Sequence, residues 1–188
     1  MPKLKVVLFG GAFDPVHNGH LQVANTTLTM LPIDQVWFVP SGVPPLKDNV
    51  MFSFEERLKF LKEVIKDRPQ FFVYEDDFQK NDRSYTIYLI QKLYSQFPEY
   101  KFSFLIGADN VMNLKSWYEY KKLLELIDFI VIDRDTDDHK EWQLLDYFHK
   151  LTFIKMPLYN VSSSKIREMI RDGKSVNKLI PKEICQFF

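Results

Sequence analysis

The chain has 188 residues, of which 46% are hydrophobic and 27% are charged, proportions typical of a globular protein with one core. Its 25 basic and 25 acidic side chains cancel, which argues against binding of nucleic acid or an anionic membrane through net positive charge. The single cysteine, Cys185, excludes an intramolecular disulfide and a cysteine-based zinc cluster. The apolar run at residues 6–9 is too short for a transmembrane helix and lacks the form of a signal peptide. We therefore expect a cytoplasmic protein with a single domain over residues 1–188.

Short apolar runs alternate with helix-like segments along the chain. The apolar runs predict strands at residues 4–9, 35–39, 71–74, 101–106, 129–132 and 152–155. The periodic segments predict helices at residues 18–30, 53–67, 84–97, 117–127, 137–151 and 162–171. Continuously apolar strands that alternate with helices indicate a Rossmann-like α/β fold, an open parallel sheet with helices on both faces.

Two local signals predict where helices begin and end. Ser53 and Glu56 have the spacing of a capping box, in which each side chain accepts a hydrogen bond from the other residue's backbone amide. Gly173 follows the last predicted helix at the position where glycine commonly ends a helix. These signals predict a helix that begins near residue 53 and another that ends before Gly173.

The segment after the first predicted strand, residues 10–20, holds the densest set of unusual residues. Ligands of an open parallel sheet bind at the carboxyl ends of its strands, so this segment is expected at the site. Gly10 and Gly11 allow a sharp turn and a close approach of the backbone to a ligand. His17 and His20, at the start of a helix, can donate to phosphate oxygens beside free backbone amides. The alternative is a tight turn followed by two histidines that only cap the helix.

The sequence lacks the common motifs for phosphate and metal binding. Residues 173–175 read Gly-Lys-Ser, but Glu168 stands where the first glycine of a P-loop belongs. The first loop does not have the glycine spacing of a dinucleotide-binding fingerprint. The other two histidines lie far along the chain, and no carboxylates can be placed beside the first pair, so we predict no protein metal site.

Polar residues also follow the later strands. Lys47 comes after a proline-stiffened loop and is either a phosphate ligand or a surface lysine. Asp109 follows the fourth predicted strand and either binds a ribose or caps a short helix, and Trp117 is either a ligand contact or core packing. The serines at residues 162–164, with Arg167 one turn later, form either a second anion-binding helix start or an ordinary serine cap.

The pattern Gly-Gly-x-Phe-Asp-Pro-x-His-x-Gly-His at residues 10–20 resembles the signature of the nucleotidylyltransferase superfamily. Most of the chain resembles the bacterial nicotinate-nucleotide adenylyltransferases within that superfamily. The resemblance rests on four further motifs, at residues 44–47, 84–86, 107–118 and 161–167. The sequence departs from the family's pattern at Leu46, where histidine is usual.

This resemblance implies a transferase of NAD biosynthesis. Such an enzyme moves the adenylyl group of ATP to nicotinate mononucleotide by direct in-line attack, which gives deamido-NAD and pyrophosphate. The alternatives are a sister enzyme that acts on nicotinamide mononucleotide or phosphopantetheine, and a non-catalytic nucleotide-binding protein. Mg²⁺ is expected to arrive with ATP, no nucleic-acid or membrane partner is expected, and a homo-oligomer is left open.

The resemblance also assigns roles to individual residues. His17 and His20 are implied to be catalytic. Contacts with ATP are implied for Gly10, Gly11, Phe13, His17, His20, Ser163, Ser164 and Arg167. Contacts with the mononucleotide are implied for Lys47, Thr86, Asp109, Trp117, Tyr118 and Arg134. The indole of Trp117 would lie on the pyridine ring, and the backbone amides of Trp117 and Tyr118 would bind the ring's carboxylate.

Overall fold

A computed structural model describes residues 3–42, 50–75, 85–133, 140–157 and 160–188. Its strands pair in parallel as one six-stranded sheet with the order β3-β2-β1-β4-β5-β6. The strands are β1 (Leu4–Gly11), β2 (Gln35–Pro40), β3 (Phe71–Val73), β4 (Tyr100–Gly107), β5 (Asp128–Asp133) and β6 (Leu151–Lys155). The sheet confirms the predicted Rossmann-like α/β fold.

Helices cover both faces of this sheet. They are α1 (Asn18–Met30), α2 (Phe54–Ile65), α3 (Thr86–Gln96), α4 (Tyr120–Leu126) and α5 (Ser163–Arg171). Buried residues of α1, α2 and α5 share one apolar core, and those of α3 and α4 share the other. Successive side chains of a strand point to opposite faces, so each central strand supplies both cores. In β1, Val7 and Phe9 join the first core, whereas Val6 and Leu8 join the second.

The two predicted helix-end signals are present. The Ser53 hydroxyl accepts from the Glu56 amide at 3.2 Å, and the Glu56 carboxylate accepts from the Ser53 amide at 2.8 Å. After α5, Gly173 adopts a left-handed conformation with φ of 67°. Its amide donates to Ile170 O at 3.0 Å, and the amide of Lys174 donates to Met169 O at 2.8 Å. These bonds satisfy carbonyls that the end of a helix would otherwise leave unpaired.

The predicted helix at residues 137–151 is wrong for the residues that the structure describes there. Residues 140–151 form two short 3₁₀ turns, Lys140–Leu144 and Phe148–Lys150, and then enter β6. Trp142 and Tyr147 are both buried in the second core. Five residues apart on an α-helix they would point about 140° from each other, so burying both favours a less regular backbone.

The strand order places the site. The chain runs from β1 outward to β2 and β3, and then returns to form β4 on the other side of β1. This reversal creates a crevice at the carboxyl ends of β1 and β4, where ligands of such sheets bind. β1 also runs further than predicted, because Gly10 and Gly11 pair with Val39 and Pro40 of β2. The residues that follow Gly11 therefore leave the sheet directly at the crevice.

We expect Gly173→Ala to lower the free energy of unfolding by about 1 kcal/mol, because a Cβ disfavours the left-handed backbone. Nothing lies within 4 Å of a Cβ built on Gly173, so a clash does not contribute. Gly173→Asn should cost less, since asparagine tolerates this conformation better. Urea unfolding of the three proteins measures the effect, and equal stability of the alanine variant and the parent would contradict it.

Candidate active site at the carboxyl edge of the sheet

His17 and His20 cap the start of α1 through each other. Nδ1 of His17 accepts from the backbone amide of His20 at 3.3 Å, and Nδ1 of His20 accepts from the amide of His17 at 3.2 Å. Their rings stack with centroids 3.6 Å apart. The pair thus has the reciprocal geometry of a capping box, built here from two imidazoles. The two histidines thus cap the helix, as the alternative predicted. Capping uses only Nδ1 of each ring, so it does not conflict with a chemical role for Nε2.

This geometry sets which nitrogen of each ring carries the proton. A neutral imidazole has one donor nitrogen and one acceptor nitrogen. Because Nδ1 accepts in both rings, the proton of each neutral ring lies on Nε2. Each histidine therefore presents an Nε2–H donor at the amino end of α1. Backbone amides and the helix dipole at the same place favour an anion.

Phe13 supports His20 from inside the core. It is 1% exposed, and its ring lies 5.0 Å from that of His20 in an edge-on arrangement. Its backbone is left-handed, with φ of 49°, which is a strained conformation for a bulky residue. The implied ATP contact of Phe13 stays a prediction, and its side chain is enclosed by protein.

Asp14 connects three parts of the fold. The carboxylate is 2% exposed and accepts from the amide of Met51 at 3.0 Å and that of Phe52 at 2.9 Å. Nη1 of Arg167 lies 3.5 Å from the same carboxylate. A buried carboxylate is tolerated only when it is paired and hydrogen-bonded. Asp14 therefore joins the loop after β1 to the start of α2 and to α5.

The amino end of α5 lies against the same loop. The Ser163 hydroxyl donates to Pro15 O at 3.1 Å. Arg167 is buried and donates to Asp14 O at 2.8 Å and to the Ser164 hydroxyl at 3.1 Å. The structure thus places the two predicted anion-binding segments, at α1 and α5, side by side. The guanidinium of Arg167 has partners within the protein, so its implied contact with ATP stays a prediction.

Arg57 is a residue of this region that the sequence analysis missed. Its side chain is 1% exposed and donates to main-chain carbonyls in the loops after β1 and β2. Burial lowers the pKa of Arg57, and the charges of Asp14 and Glu55 oppose that shift. No sequence signal marks it, because an arginine in the first turn of an amphipathic helix normally faces solvent.

Trp117 has one side in the core. Its ring centroid lies 5.9 Å from that of Phe104 and 6.1 Å from that of Phe129, close to perpendicular in both cases. Trp117 is only partly buried, so core packing and a ligand contact are compatible. The helix predicted from residue 117 begins instead at Tyr120, and the Trp117 amide donates to Leu114 O at 3.0 Å. The Trp117 amide thus has a partner within the protein, and the contact of the Tyr118 amide with the ring's carboxylate stays a prediction.

Tyrosines bring the start of α3 next to this tryptophan segment. The rings of Tyr85 and Tyr118 lie 4.6 Å apart, so the residue before α3 contacts the residue that follows Trp117. The Tyr88 and Tyr118 hydroxyls lie within hydrogen-bond distance at 3.5 Å, and their pairing raises the pKa of Tyr118. Asp109 is exposed just after β4, where its carboxylate accepts from the Asn110 side chain at 3.1 Å.

Two predicted site residues, Lys47 and Arg134, lie outside the described residues. In the parts of the chain that the structure describes, no three or more His, Cys, Asp or Glu side chains form a group that could hold a metal ion. None of the helices described is long and apolar enough to cross a membrane.

Comparison with known proteins identifies the family. A model of the cytidylyltransferase-like family matches residues 8–169. The chain belongs to the cytidylyltransferase-like family. This membership confirms the resemblance predicted from residues 10–20. The family match spans all of the described segments that meet at the crevice.

Two relatives of the chain are named as nicotinate-nucleotide adenylyltransferases. The chain is 36% identical over 183 residues to the probable nicotinate-nucleotide adenylyltransferase of Exiguobacterium sibiricum, covering 97% of this chain and 95% of that protein. It is 35% identical over 184 residues to the nicotinate-nucleotide adenylyltransferase of Bacillus subtilis, covering 97% and 94%. Its fold is similar to that of the nicotinic acid mononucleotide adenylyltransferase of Plasmodium falciparum complexed with NaAD, with a TM-score of 0.78, 23% identity and coverage of 98% and 96%.

Close packing leaves no room for a side chain at Gly19, in the His-x-Gly-His motif of this cytidylyltransferase-like chain. A Cβ built there would lie 2.8 Å from Cγ1 of Val161 and 3.1 Å from the ring of His17. Real Cβ contacts are essentially never below 3.0 Å, so either α1 or the segment before α5 would have to move. Only glycine lets the two anion-binding helix starts approach this closely.

We expect Gly19→Ala to lower turnover by about 10²-fold, because displacement of the reacting groups by about 1 Å can cost that much. Circular dichroism should show a retained fold. Asn25→Ala, on the exposed side of the same helix, is the matched control and should keep parental turnover. Parental turnover in Gly19→Ala would show that the spacing between the two helix starts does not matter.

Proposed function

We propose that this chain transfers the adenylyl group of ATP to nicotinate mononucleotide, which gives deamido-NAD and pyrophosphate. The observation that carries the proposal is the pair of stacked imidazoles at the start of α1, placed beside the start of α5. The identity of about a third with nicotinate-nucleotide adenylyltransferases, spread over 97% of the chain, supports the choice of substrate.

The chemistry needs charge stabilisation more than proton transfer. A phosphate oxygen of the mononucleotide attacks the α-phosphorus of ATP in line and forms the new P–O bond. The bond between the α-phosphorus and the bridging oxygen breaks, and pyrophosphate leaves with that electron pair. The nucleophile is already anionic, so neither a catalytic base nor a covalent intermediate is required. Positioning and preorganised donors then supply the rate enhancement.

The two histidines are suited to this task. Their Nδ1 atoms are held by backbone amides, so the Nε2–H groups have fixed directions when negative charge develops. We assign them to the α-phosphate and the leaving oxygen. The amino end of α5, with Ser163 and Ser164, would hold the remaining phosphates. Donors that are already oriented cost no reorganisation in the transition state.

The mononucleotide would bind on the β4 side of the crevice. Trp117 offers a partly exposed indole, as expected for stacking on a pyridine ring, and Thr86 stays a predicted contact of the mononucleotide. Asp109 would accept from ribose hydroxyls. Lys47 stays a prediction as a phosphate ligand, and Arg134 stays a predicted contact of the mononucleotide.

Mg²⁺ would enter as part of the MgATP substrate. This ion keeps several waters and prefers phosphate oxygens to an all-protein cage. The buried carboxylate of Asp14, in the loop after β1, is already bonded to two amides and faces Arg167. The carboxylate therefore serves the fold, and the metal would be held mainly by ATP and water.

Two substitutions separate capping from catalysis. His17→Asn and His20→Gln place favourable capping residues at both positions, since asparagine suits the N-cap and glutamine the third helical position. Both variants should keep the helix start and the thermal midpoint. Both should lose turnover by on the order of 10²–10³, the usual cost of removing one electrostatic donor. His149→Ala, far from the crevice in the turn before β6, is the control and should keep parental turnover.

If His17→Asn and His20→Gln retained near-parental turnover with an intact fold, the histidines would be helix caps and nothing more. Pyrophosphate release at saturating ATP and mononucleotide measures this directly.

The choice of acceptor has its own test. Pyrophosphate release should be fastest with nicotinate mononucleotide when ATP is offered with that compound, nicotinamide mononucleotide or phosphopantetheine in turn. Turnover with only one of the other two would identify a sister activity instead. Calorimetric binding of ATP without turnover on any acceptor would indicate a non-catalytic nucleotide-binding protein.

A further inference from the structure

Arg57 makes an unusual set of hydrogen bonds for a helical arginine. Nη1 donates to Ala12 O and, at 2.8 Å, to Ser41 O. Nη2 donates to Gly42 O at 2.9 Å, and Nε donates to Phe52 O at 3.3 Å. All four acceptors are main-chain carbonyls. The hydrogen bonds of the guanidinium therefore depend on where the backbone lies and not on which side chains these residues carry.

These acceptors belong to separate connections of the chain. Ala12 lies in the loop after β1, which leads to the catalytic histidines, whereas Ser41 and Gly42 follow β2. The N–H groups of a guanidinium lie in one plane at fixed angles. A single guanidinium that binds both connections therefore sets the distance and the direction between them.

Asp14 holds the other end of the connection after β2. Its carboxylate accepts from the amides of Met51 and Phe52, which return the chain to α2. The residues between Gly42 and Met51 in the sequence include Lys47, the predicted phosphate ligand. Both described ends of this connection are thus attached to the loop after β1, one through Arg57 and the other through Asp14.

We propose that Arg57 is a positioning residue for adenylyl transfer, which holds the connection after β2 against the catalytic loop so that the mononucleotide meets ATP in line. The role rests on the proposed function, and it concerns the mononucleotide more than ATP. The histidine pair and the start of α5 make the hydrogen bonds described above without Arg57. The ATP side of the site should therefore keep its geometry when Arg57 is changed.

When Arg57 is replaced, we expect Gly42 to lose its attachment to the rest of the protein. The Ser41 amide also donates to Gly11 O at 2.9 Å, so Ser41 keeps an attachment to β1 without the guanidinium. For Gly42, Arg57 provides the hydrogen bond that links it to the rest of the protein among the described contacts. Loss of the guanidinium should release Gly42 from this bond and leave β2 paired.

The experiment compares Arg57→Lys, Arg57→Met and the control Arg68→Lys. Arg68 is a partly buried arginine just beyond the other end of α2, where it donates to Val64 O and to Glu183 at 3.0 Å. Steady-state kinetics are measured with each substrate varied in turn. Both Arg57 variants should lose 10- to 100-fold (about what a displacement of 1 Å costs) in kcat/KM for nicotinate mononucleotide, with little change in KM for ATP.

The lysine variant tests the geometry of the group and not only its charge. Lysine keeps the positive charge but loses the planar fork, so it should resemble the methionine variant. Arg68→Lys should lower the thermal midpoint and leave both KM values unchanged. Unchanged kinetic constants in Arg57→Lys, with only a lower thermal midpoint, would overturn the positioning role.

Hydrogen exchange provides a readout that does not depend on the reaction. Peptides that cover residues 41–52 should exchange faster in Arg57→Lys than in the parent, whereas peptides that cover residues 18–30 should not change. Unchanged exchange at residues 41–52 would contradict the proposal even if the parent protein were inactive. A parent without turnover on nicotinate mononucleotide, but with the expected exchange, would instead reject the proposed function. Should Arg57→Met not fold, Arg57→Lys alone decides.

Discussion

The reciprocal hydrogen bonds between His17 and His20 are the constraint on which the site depends. Each imidazole accepts a backbone amide of the other residue through Nδ1, and so one pair of bonds begins the helix and orients both rings. Ordinary capping residues could begin α1 equally well. What imidazole adds is a second nitrogen, Nε2, on the far side of the ring. The same residues can therefore stabilise the fold and offer two fixed donors to a phosphate.

The loops and helices around this histidine pair are joined by buried polar groups. Asp14, Arg57 and Arg167 are each less than a tenth exposed, and their bonds go mostly to main-chain atoms. Burial of charge costs free energy unless each group is satisfied, and here the satisfied network ties the loop after β1 to α2, α5 and the connection after β2. The crevice is thus built by groups that need not touch a substrate themselves.

Local signals predicted the features that are local in origin. The apolar runs gave the strands within one or two residues, and the spacing of Ser53 with Glu56 and the place of Gly173 marked helix ends correctly. Arg57 could not be predicted, because its acceptor Ala12 lies 45 residues away and any residue type can supply a carbonyl. The helix predicted at residues 137–151 is absent from the described residues 140–151, where Trp142 and Tyr147 are both buried in the core. Such burial depends on tertiary packing, which the periodicity of the sequence does not reveal.

The tautomer of each imidazole, that is, which ring nitrogen carries the proton, is the most direct test of this arrangement. In ¹⁵N-labelled protein, long-range ¹H–¹⁵N correlation spectra distinguish a protonated ring nitrogen from a bare one, and His17→Asn and His20→Gln assign the signals. In the neutral form of each ring, Nε2 should carry the proton in both His17 and His20. A proton on Nδ1 of either ring would mean that the reciprocal cap does not form, and that the site is not organised as described.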